Sequence, residues 1–207
     1  MVVLGITGSI GMGKTTAAAA LKRLRIPVFE ADREVHRLLD IKRAEIAKAF
    51  PEAMTGGAVD RRKMAGIVFH DMAARKKLES ILHPDVRAAE MRFLRNQRSR
   101  RAPVVALDIP LLFESGADSL CDASITVTAP HFLQRARVLS RPGMTEARFK
   151  AILALQMPDV EKRRRADFVL PTGLGQRTAL NRLRRMIKSV KRKHRARNRP
   201  RYRNHRA

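Results

Sequence analysis

Eight residues near the start of the chain, Gly8-Ser9-Ile10-Gly11-Met12-Gly13-Lys14-Thr15, have the types and the spacing needed to hold a polyphosphate. They fit the pattern G-x-x-x-x-G-K-[ST] in full. The glycines let the backbone turn tightly, so that successive N–H groups of Gly11, Met12 and Gly13 approach phosphate oxygens. Lys14 then reaches the β- and γ-phosphates, the Thr15 hydroxyl is placed to coordinate Mg²⁺, and Thr16 helps line the α-phosphate side. Both flanks suit the task. Val2-Val3-Leu4-Gly5-Ile6 reads as a short buried strand, and Thr16 to Leu21, with four alanines in a row, reads as the helix that follows. A chance glycine-rich turn would not need either flank.

Further carboxylates and bases fall at the ends of other elements. Ile26-Pro27-Val28-Phe29 reads as a second strand that delivers Glu30-Ala31-Asp32 at its C-terminal end, where open α/β sheets place their ligands. The residues alone leave Asp32 two roles, proton acceptor for a reacting hydroxyl or N-cap of the next helix. Val104-Val105-Ala106-Leu107-Asp108 is an apolar strand ending in a carboxylate that either holds a metal's water shell or caps its own loop. Arg141, one turn past Arg137, stands where a lid would neutralise a transferring phosphate, with a solvated helix end as the plain alternative. His83, before Pro84, fits packing or ligand contact equally. Glu114 serves equally as an anchor of its own loop, and Lys162 to Arg165 reads as a solvated face.

The elements that would position these residues alternate strand and helix, with further strands at Ala123 to Thr128 and Phe168 to Leu170. A parallel sheet with helices on both faces is expected. Helical patterns dominate about 55–100 without strands and predict an inserted substrate lobe: one helix capped by Asp60, another through Leu82, and a third that starts at Pro84 and runs to about Arg98. A continuous helix is expected from about Asp32 to Ala49. Residues about 131–157 form a lid region, and Leu180, Leu183, Ile187 and Val190 mark a last helix that docks on the sheet.

At 207 residues the chain suits one core. Its net charge is +25, of which the stretch from Asn181 to Ala207 holds +13 with no acidic residue, leaving +12 for the rest. That distribution predicts a single domain over 1–193 and a basic, disordered extension over 194–207 with nonspecific affinity for nucleic acid at most. Tyr202 alone offers base stacking there, and no RNA-recognition signature is found in the body. Cys121 is the single cysteine, which excludes an intramolecular disulfide. No export signal or membrane span is read, so a cytoplasmic protein is expected.

The sequence resembles the dephospho-CoA kinases in five places: Leu4 to Thr16, Val28-Phe29-Glu30-Ala31-Asp32, Leu78-Glu79-Ser80-Ile81-Leu82-His83-Pro84, Leu107-Asp108-Ile109-Pro110-Leu111-Leu112-Phe113-Glu114, and Arg165-Ala166-Asp167-Phe168-Val169. The His-Pro and Pro-Leu-Leu-x-Glu elements at these spacings are more specific than the loop. The resemblance implies a P-loop NTPase fold with a helical substrate lobe and a lid. It also implies transfer of the ATP γ-phosphoryl group to the 3′-hydroxyl of dephospho-CoA, with Mg²⁺. It assigns Asp32, Lys14 and Arg141 to catalysis, Gly11 to Thr16 to ATP, His83, Pro84 and Leu111 with Asp32 to the acceptor, and Thr15 and Asp108 to the metal. A nucleoside or nucleotide kinase of similar fold is the alternative. The chain departs from the family pattern at Glu30, at Arg25, where a glycine is usual, and at Pro171-Thr172-Gly173, where Asn-x-Gly is usual.

Overall fold

The computed structural model describes residues 1–197. Five strands form the main sheet in the order β2-β5-β1-β6-β7. These are β1 (Val2–Thr7), β2 (Val28–Glu30), β5 (Val104–Asp108), β6 (Ala123–Thr128) and β7 (Phe168–Pro171). β1 runs parallel to both β5 and β6, and β6 parallel to β7. Every residue of β1 and β5 is buried, which is why both read as unbroken apolar runs rather than as alternation. The crossover at β1 places the crevice for ligands beyond its C-terminal end, between β5 and β6.

The chain divides into two compact units, the first made of Met1–Phe29 and Arg100–Ala207 and the second of Glu30–Ser99. In the first, α1 (Lys14–Arg23) buries Ala17, Ala18, Ala20 and Leu21 against the sheet. It ends in a Schellman motif, with Arg25 N–H donating to Lys22 O and Ile26 N–H to Leu21 O. Arg25 holds the left-handed position at φ 56, where a glycine carries no Cβ penalty. Helices α6 (His131–Leu139), α7 (Glu146–Ala154) and α8 (Asp159–Arg165) follow β6, and Thr145 caps α7 by accepting from Arg148 N–H. The last helix, α9 (Gln176–Arg197), docks through Ala179, Leu183, Ile187 and Val190. Leu180 is only partly buried, and the helix continues four residues past the expected end at Lys193. The rest of the expected tail, 198–207, lies outside the described residues.

The second unit holds α2 (Ala31–Ile41), α3 (Arg43–Ala49), a hairpin of β3 (Met54–Thr55) and β4 (Ala58–Val59), α4 (Arg61–His70) and α5 (Met72–Ser99). Its own core contains Leu38, Leu39, Ile46, Phe50, Met64 and Leu82. The first four lie before residue 55, and the unit begins at Glu30, well ahead of the expected lobe. Asp60 caps α4 by accepting from the N–H groups of Arg62 and Lys63, as expected.

Two expectations here are corrected. The helix over 32–49 is broken at Lys42, and α5 passes through Pro84 without stopping. An internal proline removes a backbone donor and costs about 3 kcal/mol. Lys42 supports the same turn: its Nζ donates to Ile81 O at 2.9 Å and pairs with Asp85 at 2.8 Å.

Candidate active site

The phosphate loop leaves β1 and enters α1 with Gly11 and Gly13 at φ 76 and 93, conformations that side chains resist. Gly13 is the N-cap of α1, whose first turn has no side-chain cap and no acid. A helix start of this kind carries partial positive charge that an anion offsets. Thr15 is exposed and Thr16 half-buried on that turn.

The carbonyls of the loop are held from behind by three different side chains. Gln134 Nε2 donates to Ile10 O at 2.8 Å, Arg137 Nη1 to Gly11 O at 3.4 Å, and Thr172 Oγ1 to Met12 O at 2.6 Å. Ile10 N–H donates to Gln156 Oε1, and the buried Met12 accepts Ala129 N–H on its sulfur. Because a trans peptide sets C=O and the following N–H in opposite directions, the N–H groups of Gly11 and Gly13 face away from these anchors. Among the described residues neither meets a protein acceptor.

Lys14 Nζ lies 2.8 Å from Asp108 Oδ1 at the end of β5, and both side chains are largely buried. The two residues read independently from sequence thus meet in one ion pair. After Asp108 the chain is fixed at Pro110, whose carbonyl accepts from the Thr7 hydroxyl at 2.7 Å and from Lys162 Nζ at 3.1 Å. Leu111 follows, exposed on this loop. Glu114 accepts from Met157 N–H and pairs with Lys162, so it does anchor its loop. Lys162 itself is fully buried, which overturns its reading as part of a solvated face. Arg141 is exposed two residues beyond the end of α6, with its N–H bonded to Val138 O.

Asp32, His83 and Pro84 belong to the second unit. Asp32 is exposed in the first turn of α2, whose N-cap is Glu30; the N-cap reading of Asp32 is therefore corrected. His83 and Pro84 are exposed in the middle of α5 rather than at a helix start. In the same unit Arg37 pairs with Glu34 and draws that carboxyl below its ordinary range. Burial pushes the Glu90 carboxyl up, against the opposing pull of Arg87.

Sequence reasoning missed Gln134, Gln156 and Lys162, and gave Thr172 no role. Gln134 and Arg137 did carry a signal, since an i, i+3 pair shares one helix face. Among the described residues no cluster of three or more His, Cys, Asp or Glu side chains could hold a metal, and no helix is long and apolar enough to cross a membrane.

Known proteins match this architecture over most of its length. The family model described as dephospho-CoA kinase matches residues 2–175. A dephospho-CoA kinase of Paramagnetospirillum magneticum is 55% identical over 166 residues, covering 79% of this chain and 78% of its own. One of Mesorhizobium japonicum is 49% identical over 180 residues, 86% of this chain and 91% of its own. Among solved structures, a Thermus thermophilus protein superposes with a TM-score of 0.80 at 39% identity, covering 91% of this chain and 96% of that one. The dephospho-CoA kinase of Campylobacter jejuni gives 0.66 at 25%, covering 93% and 98%. A parallel sheet with a phosphate loop after β1, a Lys14–Asp108 pair and matches of this extent lead to one conclusion: the chain belongs to the dephospho-CoA kinase family.

Proposed function

We propose that the chain carries out its family's reaction, transfer of the ATP γ-phosphoryl group to the 3′-hydroxyl of dephospho-CoA in the final step of coenzyme A synthesis, with its phosphate chemistry centred on Lys14 and Asp108. The observation that carries the assignment is their 2.8 Å ion pair beside an uncapped helix start. It joins the two groups that a magnesium nucleotide would separate, a cation for its phosphates and an oxygen anion for its metal.

Phosphoryl transfer asks the protein mainly for alignment and charge neutralisation. Backbone N–H groups of the loop, those of Gly11 and Gly13 first, receive the phosphates, since Met12 N–H is taken by Ser9 O and Thr16 N–H by Gly13 O, and Lys14 offsets their charge. Asp32 accepts the proton of the acceptor hydroxyl and orients it. Arg141 closes over the transferring group, with about 131–157 acting as the lid. His83, Pro84 and Leu111 contact dephospho-CoA, and the second unit is its lobe. The Thr15 hydroxyl and the Asp108 carboxylate, both hard oxygen donors, suit Mg²⁺, which takes few protein ligands when phosphates supply the others. When bound, the ion spreads the negative charge of the β- and γ-phosphates. The cytoplasm is the proposed compartment.

Titrating Mg²⁺ into full-length protein and its Asp108→Asn variant tests the pairing. The variant should need about tenfold more Mg²⁺ for half-maximal turnover, with the KM for dephospho-CoA unchanged. An unaltered Mg²⁺ requirement would remove Asp108 from the metal site.

A further inference from the structure

We infer that Thr172 is a positioning residue of the phosphate cradle: with Gln134 and Arg137 it holds three consecutive loop carbonyls outward, so that the Gly11 and Gly13 N–H groups stay aimed at the triphosphate. The inference rests on the placement of ATP proposed above and adds the device that sets the loop's geometry.

A loop that converges several N–H dipoles on one spot is electrostatically unfavourable until an anion arrives, so something outside the loop must keep it open. The carbonyl side is where that hold is found. Ile10 O, Gly11 O and Met12 O each accept from a separate side chain, two of them on α6 and the third on the segment after β7. Thr172 is itself immobilised. It is 5% exposed, and its N–H donates to Thr128 O at 2.8 Å, which continues the β6–β7 pairing beyond Pro171. Its hydroxyl works in both directions, donating to Met12 O at 2.6 Å and accepting from Arg137 Nη1 at 3.1 Å, while Arg137 Nη2 donates to Thr172 O at 3.1 Å. The hydrogen bonds therefore form a closed chain from loop to threonine to arginine and back to Gly11 O.

Steric contact backs the same side of the loop. A Cβ built on Gly13 would lie 2.6 Å from Thr172 Oγ1, so the threonine occupies the space directly behind the N-cap of α1. Gly13 can neither carry a side chain nor retreat toward β7. Its N–H is then fixed in direction before any ligand binds, the preorganisation that makes backbone donors effective against developing charge. Arg137 and Gln134 lie on the helix that Arg141 follows by two residues, so one clamp ties the base of the lid to the cradle.

Steady-state kinetics on full-length Thr172→Val, Thr172→Ser, Gln134→Met and Lys14→Ala decide the matter. Valine keeps the shape and removes the donor, leaving a buried carbonyl unpaired. We expect kcat/KM for ATP to fall about tenfold or more, with the KM for dephospho-CoA within about twofold of the parent's. Serine should recover the parent value to within about threefold, since it restores the hydroxyl. If Thr172→Val only lowers the thermal midpoint while kcat/KM for ATP is unchanged, Thr172 is a structural strut and the inference is overturned. Should the valine variant not fold, Gln134→Met must show the same selective loss for ATP, and a parent-like value there overturns it equally. Lys14→Ala separates the two levels. If that variant turns over like the parent, the ATP placement fails and the clamp with it; if it is inactive while Thr172→Val is parent-like, only the clamp fails.

Discussion

Lys162 Nζ sits 2.8 Å from Glu114 Oε1 and 3.1 Å from Pro110 O, with the lysine fully buried and Glu114 about one-fifth exposed. This pair fixes the loop two residues beyond Asp108, so it connects the stability of the fold to the geometry of the phosphate site. Its two members are not equivalent, because only the lysine has no access to water. Removing the partner of a buried charge typically costs about 3–5 kcal/mol, whereas a partly exposed carboxylate recovers hydration. Glu114→Gln should therefore destabilise more than Lys162→Met. Urea unfolding of both at neutral pH checks the order, and the reverse order would place the burial cost on Glu114.

Lys14→Ala removes the full charge that the proposed reaction aims at the phosphates, from a largely buried side chain. A loss of turnover on the order of a thousandfold is expected. The same change takes away the counter-ion of Asp108, so the variant's thermal midpoint should also fall. Turnover within about tenfold of the parent would mean that the backbone cradle alone carries the phosphates.

Asp32→Asn keeps shape and hydrogen bonding but removes the carboxylate proposed to accept the proton. Turnover should drop at least about 100-fold while the affinity for dephospho-CoA, read by equilibrium titration, changes little. Since Glu30 and not Asp32 occupies the N-cap, the substitution leaves that position of α2 intact. Near-parent turnover would reduce Asp32 to a favourable charge in a helix's first turn.

Much of the main sheet was legible because β1 and β5 are buried on both faces, and so short a continuous apolar run, closed by Asp108, suits a covered strand and not a helix with one wet face. Lys14 and Asp108 were each legible as site residues from their motifs, but their ion pair was not, since it depends on β1 and β5 lying side by side. Pro84 misled, because a proline is ordinarily a helix start, yet here it lies inside α5, and the contact that Lys42 makes with this turn at Ile81 O comes from 39 residues away in sequence. Lys162 misled for a related reason. It stands in a run of four basic residues, and only the approach of Glu114 and Pro110, far away in sequence, makes its burial tolerable. Gly56 and Gly57 both have positive φ and close a two-residue hairpin, so the stretch expected to be helical without strands opens on β4. Arg25 shows the converse: the departure from glycine was visible in sequence, but not that the residue keeps the left-handed turn.

Glu90 gives a pH signature separate from the chemistry. Burial raises its carboxyl pKa, so between the ordinary carboxylate range and the raised value the folded protein binds more protons than the unfolded chain. Stability contributed by the protonated form is present at low pH and lost as pH rises through that window. One carboxylate oxygen, Oε1, meets no partner among the described residues, in keeping with this cost. Glu90→Gln should therefore gain stability relative to the parent on going from about pH 4 to about pH 7. Parallel urea-unfolding profiles for the two proteins would show that Glu90 ionises in the folded state as freely as in the unfolded.

The basic C-terminal region yields the last prediction, and the structure changes where the cut belongs. α9 runs to Arg197, and His194 on it lies 3.5 Å from Asp122, so truncation at 194 would remove a part of the fold. Deleting 198–207 instead should leave dephospho-CoA turnover within about twofold, because that segment carries no apolar face and no matched family motif. The deletion removes four arginines, while α9 keeps ten lysines and arginines and has no acidic residue. Arg184, Lys188 and Arg192 recur one turn apart on its exposed side, and among the described residues none has a carboxylate in ion-pair distance. Like charges at this spacing repel within a helix, so a polyanion laid along it would be favoured. Whatever affinity the full chain has for single-stranded RNA should therefore survive the truncation in large part, with its salt slope reduced by no more than about four. The triple change of Arg184, Lys188 and Arg192 to glutamate should abolish it without slowing the kinase. An affinity that vanished with residues 198–207 alone would place the polyanion contact in the extension and not on the helix.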